Sequence, residues 1–243
     1  MNPAHPIEHA VVIGASGGIG RALVEALAAR PDVESVTALS RTPARFDDPK
    51  VTTGRIDLLD GSTIAAAAAA CVVRPPRWVI CAAGVLHDGD LQPEKSLREL
   101  DAGRLARVLA VNTIGPALVI KHFAPLLPHQ GRSVIAALSA RVGSISDNRL
   151  GGWYAYRASK AALNQVIRTV AIELARSRRE ALVVGLHPGT VDTGLSAPFR
   201  SNVTPGKLFA PEFAAGRLVE VLDGLSPDAS GRCFAWDGSE VPA

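Results

Sequence analysis

Cysteine is scarce: Cys71, Cys81 and Cys233 are the only three in 243 residues. An odd number is a poor disulfide framework, and the spacing fits no metal site. Two of the three lie in apolar, strand-like runs, where buried free thiols are the default. No apolar run reaches the ~18 residues a membrane span needs. Met1 to Glu8 holds two prolines and no charged-then-apolar leader pattern. A soluble cytoplasmic protein without membrane association is therefore expected. An excess of one charge is missing too: 26 Lys and Arg face 23 Asp and Glu, a net +3. The arginines are scattered, and the one cluster (Arg176, Arg178, Arg179) ends a helical stretch, where cations suit the helix dipole. That pattern argues against a nucleic-acid partner. With 47% hydrophobic and 20% charged residues, disorder is not expected either. There is no linker and no internal repeat, so residues 1–243 are expected to form one domain with a sizeable core.

What is present alternates strand and helix patterns along the chain. His9–Ile13 is a short apolar run suited to a buried parallel strand. It stops at Gly14-Ala15-Ser16-Gly17-Gly18-Ile19-Gly20, and Arg21 to Arg30 follows with helical spacing. Strand, glycine turn and helix together set backbone N–H groups and a helix N-terminus against a phosphate. The spacing is G-x-x-x-G-x-G, not the common G-x-G-x-x-G.

Val33 to Leu39 reads as the second strand and ends at Ser40-Arg41. An acidic residue there would favour NAD by accepting from the ribose diol. None is present, and a guanidinium beside a hydroxyl suits a 2′-phosphate, so NADP(H) is preferred over NAD(H). The competing reading of Arg41 is a solvated loop charge. Val51 to Ile56 is a third strand, followed by Asp57-Leu58; Asp57 either reaches an adenine amino group or caps a turn. A helix begins at Asp60 or Ser62 and runs through an alanine tract. Arg77 to Cys81 is a fourth strand, and the small residues Ala82, Ala83 and Gly84 after it let backbone approach a nucleotide. Ser96 to Leu127 carries helical spacing with Asn112 in its middle. Asn112 either is a satisfied core polar group or holds an ordered water.

The fifth strand, Arg132 to Leu138, ends at Ser139, and ligands of open α/β sheets sit at such strand ends. A glycine-containing loop then leads to a helix, Trp153 to Arg178, that carries Tyr156-x-x-x-Lys160. Residues four apart share a helix face, so phenol and ammonium point into one cleft. A neighbouring lysine charge is expected to lower the tyrosine pKa toward working range. Ala181 to Leu186 is a sixth strand, running into His187-Pro188-Gly189-Thr190-Val191-Asp192-Thr193, where free backbone groups suit an amide ring. Residues 193–210 read as a lid. Pro211 to Leu225 is a helix and Gly231 to Trp236 a last strand. The expected fold class is an α/β, Rossmann-type, doubly wound parallel sheet in three αβα layers.

In this combination and order, Gly14-x-x-x-Gly18-x-Gly20, Asn112, Ser139, Tyr156-x-x-x-Lys160 and Pro188-Gly189 with Thr193 resemble the short-chain dehydrogenase/reductase family, in its shorter branch. Gly143-Ser144-Ile145, Trp153 to Arg157 and Leu186 to Gly189 resemble the subgroup with the bacterial C-factor and the Sniffer carbonyl reductase. The resemblance implies about seven strands and hydride transfer between NADP(H) and a ketone or aldehyde, or the matching alcohol. It also implies a small-molecule substrate and a homodimer or homotetramer. Catalysis would fall to Tyr156 as proton donor, Lys160 beneath it, Ser139 on the carbonyl and Asn112 through a water. The cofactor would lie on residues Gly14, Ser16 to Gly20, Ser40, Arg41, Asp57, Leu58, Ala82 to Gly84, Pro188, Gly189, Val191 and Thr193, besides Tyr156 and Lys160. No metal is implied. The rival implied by the C-factor likeness is a signalling protein that binds NAD(P) without turnover.

Three departures stand out. Cys81-Ala82-Ala83-Gly84 replaces the family's frequent Asn-Asn-Ala-Gly. Gly17 stands where many NADP-binding members carry a basic residue. Finally, the family's serine usually lies three before a glycine. Counting from Gly143 gives Ala140, so Ser139 acts from one residue further back or another hydroxyl such as Ser144 does.

Overall fold

The computed structural model describes residues 6–243, without the side chains of residues 200–202. The strands β1 (Glu8–Ile13), β2 (Val33–Ser40), β3 (Val51–Arg55) and β4 (Trp78–Cys81) alternate with helices α1 (Gly18–Ala28) and α2 (Gly61–Ala70). Next come α3 (Ala102–Leu109), α4 (Gly115–Phe123), β5 (Ser133–Leu138), α5 (Tyr154–Leu174) and β6 (Ala181–His187). The chain closes with β7 (Thr190–Val191), β8 (Leu208–Phe209), α6 (Pro211–Gly224), β9 (Cys233–Ala235) and β10 (Glu240–Val241).

Eight strands form one sheet in the order β10-β9-β6-β5-β4-β1-β2-β3. Seven are parallel, as the alternating pattern predicts. The eighth, β10, adds antiparallel to β9 through Glu240↔Phe234 and Val241↔Cys233. Two residues carry no periodicity, so this edge strand has no signature in sequence. The strand order reverses between β1 and β4, and clefts form at such a switch point.

Alternation along each strand sends side chains to two cores. Ala10 and Val12 pack with α1 and α6 through Leu23, Leu27 and Leu218. Val11 and Ile13 pack with Ile64, Val119, Phe123 and Leu163 from α2, α4 and α5. Each such leucine or isoleucine adds about 1.5–3 kcal/mol when fully buried, which makes the sheet a rigid platform for the loops at its carboxyl end.

The stretch expected as one helix, residues 96–127, is broken. A short turn at Leu97–Glu99 precedes α3, and a π-helical turn, Ala110–Ile114, joins α3 to α4. By length and composition Ala102–Leu126 could cross a membrane, which corrects the expectation of no such run. Here Val119, Ile120 and Phe123 bury against the sheet instead.

Candidate active site

A cavity of about 660 Å³ crosses the carboxyl edge of the sheet, from Ser40 and Arg41, over Gly14–Gly20, to Tyr156, Lys160 and Pro188. Its first half is shaped by absent side chains. A Cβ on Gly14 would stand 2.8 Å from Ala83 N, and one on Gly20 would stand 2.1 Å from Gly14 O. Gly14 also has a φ of +88°, which L side chains rarely adopt. The bend therefore folds back on itself only as glycine, and α1 starts at Gly18 with its N-terminus toward the cavity. A Cβ on Gly18 would meet the Thr193 methyl at 2.7 Å, so cradle and lid touch.

The cradle fits a dinucleotide phosphate: the glycine bend and the N-terminus of α1 both border the cavity. Arg41 lines the cavity, is exposed, and has no ion-pair partner among the described residues. Ser40 is buried and donates to Thr42 O at 2.8 Å, so its hydroxyl shapes the turn beneath Arg41. Asp57 lines the same cavity while its Oδ1 accepts from Leu59 N at 3.0 Å. The turn-capping reading of Asp57 is thus realised with one carboxylate oxygen. Ala82 and Ala83 lie against the Gly14 bend, the close approach their size allows.

The second half is built from buried polar side chains. Lys160 is 3% exposed and donates to Leu138 O at 2.7 Å. Its Nζ lies 5.6 Å from the centre of the Tyr156 ring. Burial lowers the Lys160 pKa to about 8 and raises that of Tyr156 to about 12. The expected lowering of the tyrosine by the lysine is not seen: loss of water around the phenol is the cause of its upward shift. Gly143 makes this packing possible: a Cβ there would stand 2.7 Å from Lys160 Cβ.

Asn112 is fully buried in the π-helical turn. Its Oδ1 accepts from Val85 N and its Nδ2 donates to Val85 O, both at 2.8 Å, with a further donation to Ser159 Oγ at 3.1 Å. The side chain is a satisfied core group that clamps the loop after β4 onto α5. A Cβ on Gly84 would come 3.4 Å from Asn112 Oδ1 and 3.6 Å from Lys160 Nζ, so Gly84 keeps the space above both open.

Ser139 lines the cavity, while its hydroxyl donates to Asn164 Oδ1 at 2.6 Å. Ser144 is turned elsewhere, donating to Ala243 O at 3.3 Å and accepting from Asp147 N at 3.1 Å. Pro188 and Thr193 line the cavity; Gly189, at φ +77°, packs against Phe209 and Trp236, and Val191 is buried. The span expected as a lid, 193–210, contains a short helical turn, Ala197–Asn202, and the strand β8, which pairs with β7. His87 Nε2 lies 3.1 Å from both Gly194 O and Leu195 O, and the Phe199 ring lies 5.1 Å from Trp153.

Two contributors have no motif to mark them. Glu94, 2% exposed, accepts from Ala155 N through Oε2 at 3.1 Å and from Trp153 N through its backbone oxygen at 2.5 Å. It thereby caps α5 from 61 residues away and pins Trp153, which has a left-handed φ of 52°. Asn164, one turn beyond Lys160, is the other. Tyr-x-x-x-Lys extended by four residues, to a polar one on the same face, was the available signal.

Comparison with known proteins agrees with this geometry. The model of the short chain dehydrogenase family matches residues 8–204. C-signal of Myxococcus xanthus is 39% identical over 148 residues, 60% of this chain and 83% of that protein. The NADPH-bound carbonyl reductase from chicken fatty liver superposes with a TM-score of 0.86 at 26% identity, covering 99% of this chain and 96% of that one. The fold of the carbonyl reductase Sniffer of D. melanogaster matches at a TM-score of 0.81 and 22% identity, covering 98% of this chain and 100% of that one. With its glycine cradle, half-buried Tyr156 beside buried Lys160, and parallel sheet, the chain belongs to the short-chain dehydrogenase family, and is an oxidoreductase acting on CH–OH groups with NAD(P).

Proposed function

We propose that the protein is an NADPH-dependent reductase of ketones or aldehydes, with Tyr156 as its proton donor. The observation that carries this is the placement of the Tyr156–Lys160 pair in the same cavity as the glycine cradle. Bound NADPH would supply the hydride. A phenol with a pKa of about 12 keeps its proton at neutral pH and can give it to a carbonyl oxygen that gains charge. Lys160, with a pKa of about 8, is charged below that pH and is the group placed to hold the nicotinamide ribose hydroxyls. Ser139 orients the carbonyl, and Asn112 fixes the loop that Gly84 and Val85 belong to. Arg41 takes the 2′-phosphate and sets the preference for NADPH.

The substrate end suits a modest apolar carbonyl compound, since Leu195 lines the mouth, Trp153 lies beside Tyr156 and Phe199 packs on Trp153. Assembly into dimers or tetramers through the helices carrying Asn112 and Tyr156 belongs to the same proposal; exposed Ile114 and Ile172 support it.

The test is NADPH oxidation over a panel of aryl and alkyl carbonyl compounds that includes benzaldehyde, benzil and phenanthrenequinone. Tyr156→Phe should bind NADPH as before and lose about 10²–10⁴-fold in turnover. A phenylalanine variant that keeps wild-type turnover would remove Tyr156 from the chemistry. NADPH binding without turnover of any panel member would favour a signalling role.

A further inference from the structure

A serine hydroxyl has one proton to give. In Ser139 it is directed away from the cavity, to Asn164 Oδ1 at 2.6 Å. Ser139 is only 3% exposed, and Gly185 stands so close that a Cβ there would be 3.4 Å from Ser139 Cβ and 3.1 Å from Cys233 Sγ. The hydroxyl is thus held in a tight niche between α5 and β6, with one face on the cavity. With its proton directed to Asn164 and the Cys233 thiol as its other hydrogen-bond neighbour, it offers the cavity a lone pair, which suits the O–H of an alcohol. A carbonyl oxygen needs the opposite, a donated hydrogen.

Asn164 can supply either. An amide presents an acceptor oxygen on one side and a two-proton donor on the other, and a half-turn exchanges them. With Nδ2 toward Ser139, the serine accepts from Asn164 and its own proton is released to the cavity. We propose that Asn164 is a positioning residue for Ser139, its amide turning over to match the proton on the substrate oxygen. This rests on the reading that Ser139 faces the substrate. No bond is made or broken in the turnover of the amide; only the direction of two hydrogen bonds changes.

Aspartate at 164 accepts and cannot donate while ionised, so Asn164→Asp holds the serine proton inward. The experiment compares Ser139→Ala, Asn164→Asp and the double variant, using the panel carbonyl that the wild type reduces fastest. Kd for NADPH is measured in each. Ser139→Ala should lower kcat/KM on the order of 10²-fold, the loss seen when one donor to a developing oxyanion is removed. Asn164→Asp should match it within about threefold, with NADPH affinity unchanged, and the double variant should be no worse than Ser139→Ala. In the presence of NADP+, Asn164→Asp should bind the product alcohol as the wild type does, which Ser139→Ala should not. A purely structural role would not separate alcohol from carbonyl.

If Ser139→Ala keeps full turnover while Tyr156→Phe does not, the serine reading falls and this inference with it. If Ser139→Ala is impaired and Asn164→Asp is not, Asn164 alone is overturned. An Asn164→Asp loss that adds fully to that of Ser139→Ala also overturns it. Should the aspartate variant not fold, Asn164→Ala enters the same cycle with the same non-additivity expected.

Discussion

The two ends of the cavity are made in opposite ways. At the cradle, shape comes from side chains that are missing: Gly20 closes on Gly14 six positions back, while Gly14 and Gly18 close on Ala83 and Thr193. At the catalytic end, it comes from buried polar side chains whose partners lie 22 residues away for Lys160, 27 for Asn112 and 61 for Glu94. The first end is specified by sterics, and a Cβ added at Gly14, Gly18 or Gly20 would collide with its neighbour. The second is specified by hydrogen bonds across the fold, where each unpaired group would cost the energy of its lost water.

Four measurements can break or sharpen that contrast. Gly20→Ala puts a Cβ 2.1 Å from Gly14 O. Overpacking of this kind costs about 1–3 kcal/mol. If it is relieved by opening the bend, NADPH should bind up to about 100-fold more weakly by titration. Unchanged affinity would mean that sterics do not specify the cradle.

Arg41→Ala should weaken NADPH about tenfold and leave NADH unchanged, the low end for a charged hydrogen bond because the group is exposed. Equal losses for both cofactors would remove the 2′-phosphate contact.

At the buried end the lever is pH. Burial lowers the Lys160 pKa to about 8, so its charge is present below that pH and is lost as pH rises through it. The kcat/KM for carbonyl reduction should be level near neutrality and fall above about pH 8 along a one-proton limb. A profile flat to pH 10 would place the lysine proton elsewhere.

The smallest effect expected is from Glu94→Ala. Loss of a helix cap costs about 1 kcal/mol, worth about 2–4 °C in Tm for a chain of this size. Calorimetry would show it, and an unchanged Tm would mean that the cap is dispensable.

How much of this was legible in the sequence follows the same divide. Apolar runs such as Val11-Val12-Ile13 name buried strands because both faces of a parallel strand are covered. The glycine bend is readable from its spacing, and Gly20 answers to Gly14 six positions away, whereas the approach of Ala83 to Gly14 and of Thr193 to Gly18 has no local mark. The π-helical turn was not readable: five residues of apolar spacing look alike in α and π geometry, and only the clamp of Asn112 on Val85 marks the place. The pKa directions of Tyr156 and Lys160 were hidden because a four-residue spacing gives proximity but not the water excluded around the pair. The niche of Ser139 depends on Gly185 and Asn164, and no local pattern links the three.

The contact between Gly143 and Lys160 has a practical corollary for anyone wishing to retarget this catalyst. Ile145 and Leu150, 77% and 92% exposed in the same loop, are open to randomisation without disturbing the amine. Position 143 is not: every other amino acid would shove the lysine stem aside, so a library that spares this one codon keeps its members alive while the rest of the loop is searched.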